Sequence, residues 1–453
     1  MNKIRFAAFW ALMLAVCLTA VSAEEPFIFR ETYYGGSHFC TYTGTPVPVV
    51  NGYGVYVCNL ADGTVMVDKN PDDLVYPAST VKLMTAIVAY ENIPDLQTVI
   101  TASPNVVAVT RGSHMGVKAG ETFTAEQLLY AVLVTGANDA ANMLAEYVGG
   151  SIDGFCDMMN EKAARIGATN TVFTNPTGLH NAAMHTTTRD IAKIAAYFYG
   201  IGDLFAMSDT ARYIIEPTAQ TSTRRTLLNR NLLISRVRAD DYYLPGAHGM
   251  SLGGTDEAGA CIVATATGEN GIPFLCVVMN AVNGNETDAA CADAYKLLSV
   301  CLNDFVYADV LSEKSAVCEV EVRLASGSDY VTLYPKSDVK ALLPKDFDYL
   351  QDITVEPRIP EAYVNAPVAE GQTLGEAVVK YKNDLILGST ELISGRSLDK
   401  SSVLYALDRA SGFFTGKWFR VFAVSAAVLI GLYFAASVFY RARSRRSHYG
   451  RRR

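Results

Sequence analysis

A serine and a lysine stand three residues apart near the start of a predicted helix. The segment reads YPASTVKLMTA over residues 76–86, and the helical pattern covers residues 80–90. Residues three apart share one face of a helix, so Ser79 and Lys82 can meet. A lysine whose pKa is lowered by burial can accept the proton of a neighbouring serine and activate it as a nucleophile. The backbone N–H groups of the helix N-terminus can stabilise the oxyanion that such an attack creates.

The SxxK spacing is a weak signal when it is taken alone, because it arises by chance in many chains. The alternative is that Ser79 caps the helix while Lys82 lies on the surface. The neighbouring sequence segments are therefore needed to distinguish a nucleophilic Ser79 from a helix-capping Ser79.

These surrounding segments resemble the serine D-Ala-D-Ala carboxypeptidases, the low-molecular-weight penicillin-binding proteins of peptidase family S11. The family element P-A-S-x-x-K-x-M-T-A corresponds to residues 77–86. Further family elements follow in order: G-S-x-M-G-x-K-x-G-E at 112–121, N-P-x-G-L at 175–179, H-x-T-x-x-D at 185–190, N-R-N-L-L at 229–233 and a stretch of the small domain at 366–375. The resemblance covers roughly residues 48–395, so chance does not explain the SxxK spacing.

The resemblance implies the fold and the chemistry of that family. The fold class is α+β, with a penicillin-binding/β-lactamase-like transpeptidase domain followed by a small all-β domain and a C-terminal transmembrane helix. The implied activity removes D-Ala from peptidoglycan stem peptides through an acyl-enzyme, with β-lactams as inhibitors and without a cofactor. The carboxylates are scattered and the nine cysteines include no CxxC, so we predict no metal site.

The active site of the family uses three motifs, SxxK, SxN and KTG. The first is intact, which implies that Ser79 is the nucleophile and Lys82 its proton acceptor. In the second, Asn138 matches the family Asn, which orients Lys82 and the substrate amide. Gly136 stands where the family has the Ser that passes a proton to the leaving amine. Thr135 replaces that Ser only if the loop shifts by one residue.

The third motif departs further from the family pattern. Residues 249–259 read GMSLGGTDEAG where the family has G-x-K-T-G-x-T-D-x-A-G, so Ser251 replaces the Lys and Leu252 the Thr. In the family, that Lys supplies positive charge near the terminal carboxylate of the substrate, and the Thr donates a hydrogen bond to it. We expect the loss of these contacts to lower the rate about 10²–10³-fold.

The strand that carries the third motif still offers groups for binding. Its small residues Gly253 and Gly254 allow a substrate backbone to lie along the strand. The N–H of Gly254 can join that of Ser79 as an oxyanion hole. The candidate substrate-binding residues are therefore Ser251, Gly253, Gly254 and Thr255.

The hydropathy pattern predicts the elements that position these residues. Besides the SxxK helix, the pattern predicts a hairpin at 53–59 and 63–68, helices at 125–148, 154–165, 188–199 and 287–305, and strands at 260–267 and 273–280. Strands at both ends with helices between them predict an α+β domain over residues 48–305. Short alternating strands at 318–324, 330–334, 353–356 and 376–382 predict a small β domain over residues 306–395, with a linker at 396–418.

The start of the chain differs from the middle in charge. Of 38 bases, two lie in residues 1–23 and seven in 421–453, which leaves 29 bases against all 46 acids between them. Residues 1–23 combine a basic start, an apolar run and small residues before Glu24, the layout of a signal peptide. An uncleaved anchor helix is the alternative. We predict that residues 24–47 form an N-terminal extension. The net charge of the whole chain, −8, argues against a nucleic-acid partner.

The end of the chain carries a second apolar segment. Residues 421–440 contain no formally charged side chain, and this uncharged run has the length of one membrane-crossing helix. We predict the helix over residues 419–440. The Arg-rich residues 441–453 follow at once, so the positive-inside rule places this tail in the cytoplasm. A buried helix of a soluble core is the alternative. The prediction is a single-pass protein of the bacterial cell membrane with its body on the extracytoplasmic side.

Two functional hypotheses follow from the mixture of intact and altered motifs. The first is a D-Ala-D-Ala carboxypeptidase, with activity reduced by Gly136, Ser251 and Leu252. The second is a catalytically inactive family member that binds the cell wall or acts as a scaffold. The intact serine–lysine pair favours the enzyme.

Overall fold

The computed structural model describes residues 47–236, 240–269, 271–282, 288–382 and 385–449. The predicted signal peptide, 1–23, and all but the last residue of the predicted extension, 24–47, lie outside these ranges. The chain divides into two compact units. The first extends to Tyr307 and includes Leu342–Phe347, and the second comprises Ala308–Ala341 and the chain from Asp348 onward.

The first unit is built on a five-stranded antiparallel sheet with the order β2-β1-β9-β8-β7. Its strands are β1 (Gly52–Asn59), β2 (Val65–Lys69), β7 (Ala247–Thr255), β8 (Gly259–Thr267) and β9 (Pro273–Ala281). The predicted hairpin is confirmed by the pairing of β1 with β2. Strand β7, which carries the altered third motif, lies at an edge of the sheet, so every second N–H of this strand points away from β8.

The strands β8 and β9 are mostly apolar because both faces of the sheet are covered. Cys261 and Val263 belong to the hydrophobic cluster that the helices between β2 and β7 build. Ile262 and Ala264 alternate with them and belong to a second cluster, together with the apolar side chains of the C-terminal helix of this unit. Successive residues of a strand point to opposite faces, so a sheet between two helical layers needs a continuous apolar sequence.

Eight helices surround this sheet in the part of the first unit that the structure describes. They are α1 (Val81–Asn92), α2 (Pro104–Val109), α3 (Ala125–Thr135), α4 (Asn138–Gly149), α5 (Ile152–Ile166), α6 (Thr188–Gly200), α7 (Gly202–Ser208) and α8 (Asp288–Asp304). Two small hairpins lie among them: β3 (Val99–Thr101) with β4 (Thr122–Thr124), and β5 (Arg212–Ile215) with β6 (Arg225–Leu228).

The prediction of one helix over 125–148 was wrong, because α3 and α4 are separate helices. Gly136 ends α3 with a φ of 70°, a left-handed conformation that glycine adopts without the steric cost of a Cβ. The apolar pattern continues across the break, since both helices are buried against the same cluster. The break places Asn138 at the first position of α4.

The second unit contains a six-stranded sheet with the order β14-β16-β17-β12-β11-β15, in which only β11 and β15 pair in parallel among the pairings described. The strands after β9 are β10 (Phe305–Leu311), β11 (Cys318–Arg323), β12 (Tyr330–Pro335), β13 (Val339–Pro344), β14 (Ile353–Arg358), β15 (Tyr363–Asn365), β16 (Thr373–Tyr381) and β17 (Leu385–Ser394), with the short helix α9 (Tyr349–Asp352) before β14. The all-β character predicted for this part of the chain is confirmed.

Two helices follow this sheet. Helix α10 (Ser402–Thr415) occupies most of the segment that the sequence predicted as a linker. Helix α11 (Lys417–Tyr449) includes an apolar stretch, Lys417–Arg441, that is long enough to cross a membrane and is not buried in the protein. This stretch contains the predicted transmembrane segment 419–440.

Candidate active site

The serine of the SxxK motif lies in a single 3-10 turn, Ala78–Thr80, that leads directly into α1. Lys82 is in the first turn of α1, and its Nζ donates a hydrogen bond to Ser79 Oγ over 3.2 Å. The alternative of a capping serine with a surface lysine is wrong, because Ser79 makes no side-chain cap and Lys82 is 3% exposed. The structure therefore brings the predicted nucleophile and base together.

A second contact fixes the lysine from the opposite side of the site. Lys82 Nζ donates to the backbone carbonyl of Thr177 over 2.5 Å. Asn175 Oδ1 accepts hydrogen bonds from the N–H groups of Thr177 and Gly178, over 3.1 Å and 2.9 Å, and so fixes the turn that presents this carbonyl. The sequence pointed to this N-P-x-G-L segment as a family element but gave it no role. In this structure the segment holds Lys82 in place.

Burial changes the acid–base behaviour of Lys82. Burial of the ammonium group and, as the smaller cause, the positive charge of Arg230 together lower the pKa of Lys82 to about 7. A large fraction of this amine is therefore neutral near pH 7. A neutral amine in contact with a serine hydroxyl can accept its proton.

Strand β7 runs directly beside the nucleophile. Ser251 Oγ donates a hydrogen bond to the backbone carbonyl of Ser79 over 3.0 Å. A Cβ at Gly253 would lie 2.5 Å from both Cβ and Oγ of Ser79, so only glycine permits this approach. Thr255 Oγ accepts from the N–H of Ala258 and supports the turn between β7 and β8. Of the predicted binding residues of β7, Ser251 and Gly253 thus lie beside Ser79, whereas Gly254 and Thr255 approach the turn that leads to β8.

Leu252, which replaces the family Thr, has a different environment. It is 6% exposed and belongs to the apolar cluster that includes Leu232 and Leu233. The side chain at this position contributes packing and has no polar atom to offer a substrate.

Asn138 begins α4 and is almost fully buried. Its Nδ2 donates to the carbonyl of Arg111 over 2.7 Å, and its Oδ1 has no hydrogen-bond partner within the described ranges. The contact with Lys82 that the resemblance implied is not among the hydrogen bonds of this structure, in which Lys82 Nζ donates to Ser79 and Thr177. The buried Oδ1 is an acceptor that a substrate amide can satisfy.

The side chain of Arg230 lies next to Gly136, the position at which the family has Ser. A Cβ built on Gly136 would lie 3.3 Å from Nη1 and 3.7 Å from Cδ of Arg230. Thr135 is the last residue of α3 and is not among the residues that line the small cavity at Ser79. That cavity is lined by Ser79, Lys82, Gly136, Arg230, Ser251, Leu252 and their neighbours Val132, Leu133, Val134, Asn229, Asn231 and Met250.

Comparison with known proteins agrees with the geometry of the site. The sequence matches the family described as D-alanyl-D-alanine carboxypeptidase over residues 47–283, and the penicillin-binding protein 5 C-terminal domain over residues 305–400. The carboxypeptidase DacF of Bacillus subtilis is 26% identical over 358 residues, which are 78% of this chain and 87% of DacF. DacB2 of Mycobacterium tuberculosis is 32% identical over 228 residues, which are 49% of this chain and 72% of DacB2.

Solved structures show the same fold. The D-alanyl-D-alanine carboxypeptidase DacD from Francisella tularensis aligns with a TM-score of 0.63 at 24% identity and covers 82% of this chain and 100% of its own. Penicillin-binding protein 5 from Haemophilus influenzae aligns with a TM-score of 0.60 at 22% identity and covers 79% and 100%. Since the family match covers residues 47–283, more than half of the 453 residues, this chain belongs to the D-alanyl-D-alanine carboxypeptidase family of serine peptidases.

Proposed function

We propose that this protein is a serine-type D-Ala-D-Ala carboxypeptidase that trims peptidoglycan stem peptides through an acyl-enzyme on Ser79. The observation that carries the proposal is the hydrogen bond between Lys82 Nζ and the hydroxyl of Ser79. The lysine is buried, and its pKa is lowered to about 7. A surface lysine near its ordinary pKa would be protonated at neutral pH and would not accept a proton. This pair meets the requirement of the chemistry without a metal or a cofactor.

In the acylation step, Ser79 Oγ attacks the carbonyl carbon of the penultimate D-Ala while Lys82 Nζ takes the hydroxyl proton. The C–N bond of the terminal D-Ala then breaks, and Lys82 returns its proton to the leaving amine. Water hydrolyses the ester in the second half of the reaction, which frees the shortened peptide and restores the Ser79 hydroxyl. Because the family Ser is absent at Gly136, Lys82 itself delivers the proton to the leaving group.

The binding groups are arranged along β7. In this proposal the substrate backbone lies against the edge of the sheet, where Gly253 leaves room beside the nucleophile. The N–H groups of Ser79 and Gly254 stabilise the oxyanion. Thr255 and Ser251 line the same strand, and Asn138 Oδ1 accepts the N–H of the substrate amide.

β-Lactams are the inhibitors that this chemistry implies. The carbonyl carbon of their strained amide is attacked by Ser79 Oγ, which opens the ring. The opened ring stays attached to the enzyme because no leaving group departs. The ester formed with Ser79 is then removed only as fast as water attacks it.

We propose that α11 anchors the protein in the bacterial cell membrane, with the body on the extracytoplasmic side where peptidoglycan lies. The apolar stretch Lys417–Arg441 and the Arg-rich end of the chain support this orientation by the positive-inside rule. In this arrangement residues 1–23 are the export signal, 48–305 and 306–395 the exported body, and 396–418 the segment before the membrane.

Substitution of the nucleophile tests the proposed activity. Ser79→Ala should abolish D-Ala release from a peptide that ends in D-Ala-D-Ala, because no acyl-enzyme can form. The exposed Ser326→Ala in the second unit is the matched control and should release D-Ala at the native rate. If the native protein releases no D-Ala and is not labelled by a fluorescent penicillin, the inactive, wall-binding alternative stands instead.

The pH dependence of acylation tests the role of Lys82. Only its neutral amine accepts the serine proton, so the acylation rate should rise about tenfold per pH unit up to a pH of about 7 and level off above it. Single-turnover acylation by penicillin, measured between about pH 5 and about pH 9, gives this profile. Lys82→Arg, which keeps its proton throughout, should be inactive over the whole range. A native rate that does not change with pH would contradict the assignment.

The close approach of β7 to the nucleophile gives a third test. Gly253→Ala should lower the acylation rate at least about 100-fold, because the added methyl would overlap Ser79 Oγ. Gly200→Ala at the end of α6 is the control, since a Cβ there has no neighbour within 4 Å. Thermal unfolding shows that both variants are folded. Native acylation by Gly253→Ala would mean that the substrate reaches Ser79 from another side.

A further inference from the structure

A second cavity lies at the end of the five-stranded sheet where β7 turns into β8. Its volume is about 470 Å³, and it shares no lining residue with the small cavity at Ser79. Tyr53, Tyr76, His185 and Glu257 are among the residues that line it. A space of this size can take a small ligand or a side chain of a larger one.

The segments that build the catalytic site continue into this cavity. Tyr76 comes three residues before Ser79, and Glu257 comes four residues after Gly253, in the turn that follows β7. His180, in the loop that holds Lys82 through its earlier residues, meets Tyr76 edge to face with ring centroids 4.8 Å apart. The cavity is therefore next to the catalytic site, at the end of β7 that leads to β8.

The direction of a substrate on β7 points its upstream part toward this cavity. In the proposed function the attacked carbonyl lies at Ser79 beside Gly253, and the resemblance implies that the terminal carboxylate lies near Ser251. The peptide then runs antiparallel to β7, and its upstream residues extend past Gly253 toward Glu257. Each extended residue advances about 3.4 Å, so the residue before D-Ala-D-Ala lies opposite the end of β7.

Glu257 gives this cavity a negative charge. Neither lysine nor arginine is among the residues that line it in the described part of the chain. Across the same ranges the carboxylate of Glu257 accepts no hydrogen bond, and Nδ1 of His180, at 3.9 Å from its Oε2, lies beyond hydrogen-bond distance. The side chain of Glu257 is 47% exposed. The carboxylate is thus available to a ligand.

The neighbouring groups also favour a cation over an anion. The hydroxyl of Tyr53 donates to Asp73 Oδ2 over 2.6 Å, which keeps a second carboxylate close to the cavity. The rings of Tyr53 and Tyr76 can attract an ammonium group through their π faces. His185 places Nδ1 3.1 Å from the carbonyl of Ala183. A ligand group with a positive charge therefore suits this space.

We propose that Glu257 binds a primary ammonium group on the side chain of the residue that precedes D-Ala-D-Ala in the stem peptide. This inference rests on the proposed carboxypeptidase function and names the substrate class that the site prefers. The family pattern G-x-K-T-G-x-T-D-x-A-G leaves the position of Glu257 open. The contact is therefore a specificity feature of this chain and is separate from the chemistry at Ser79.

The test compares two peptides that differ in one charge, acetyl-L-Lys-D-Ala-D-Ala with a free ε-amine and the same peptide with the ε-amine acetylated. The native protein should favour the free amine about fivefold in kcat/KM, the size expected for a partly exposed ion pair. Glu257→Gln should lower kcat/KM for the free amine to the value for the acetylated peptide, which itself stays unchanged.

A matched control separates a local contact from the overall charge of the protein. Glu269→Gln makes the same change in the turn between β8 and β9, at the opposite end of β8, and should keep the native preference. The preference should also fall as the salt concentration rises, because ions screen a partly exposed pair. Equal values for the two peptides with native protein, or the same loss of preference in both variants, would overturn the inference.

A binding measurement separates this inference from the proposed function. In the Ser79→Ala background, which cannot turn over substrate, calorimetry should show tighter binding of the free amine than of the acetylated peptide. The added change Glu257→Gln should remove this difference. If native protein releases no D-Ala, the proposed function fails while the binding difference still decides the role of Glu257. Equal binding of both peptides to Ser79→Ala would contradict that role.

Discussion

The site depends on one constraint: Lys82 must stay buried and still be able to lose its proton beside Ser79. The constraint is met by two contacts of the same amine, with Ser79 Oγ at 3.2 Å and the Thr177 carbonyl at 2.5 Å. A buried ammonium without such partners would be costly, and an exposed one would remain protonated. The 3-10 turn before α1 and the Asn175 turn serve to hold this amine in place.

The altered motifs leave that pair in contact, because their replacements meet other groups of the protein. Ser251 turns its hydroxyl to the Ser79 carbonyl, and Leu252 joins an apolar cluster. Gly136 gives up a proton-relaying hydroxyl but leaves space for Arg230. The departures thus change the surroundings of the nucleophile and leave the contact between Ser79 and Lys82 in place.

The sequence predicted the elements whose patterns are local and strong. The SxxK helix, the strands β8 and β9 and the membrane-length helix follow from periodicity and continuous apolar runs. It missed the break at Gly136 because a glycine inside an apolar helical pattern does not by itself end a helix. It also gave no place in the site to Thr177 and Arg230, because their contacts with Lys82 and Gly136 join positions that are distant in sequence. The N-R-N-L-L and N-P-x-G-L segments were the available signals, but a family segment without an assigned chemistry does not say what it touches.

The most direct test of the account is to locate the covalent adduct that penicillin forms with the native protein. Mass spectrometry of the whole chain at a pH above about 7, followed by peptide mapping, measures both the adduct and its position. We predict one penicilloyl group per chain, attached to Ser79, despite the altered SxN and KTG motifs. An unmodified chain, or an adduct on any other residue, would contradict the claim that the Ser79–Lys82 pair is the working nucleophile and base.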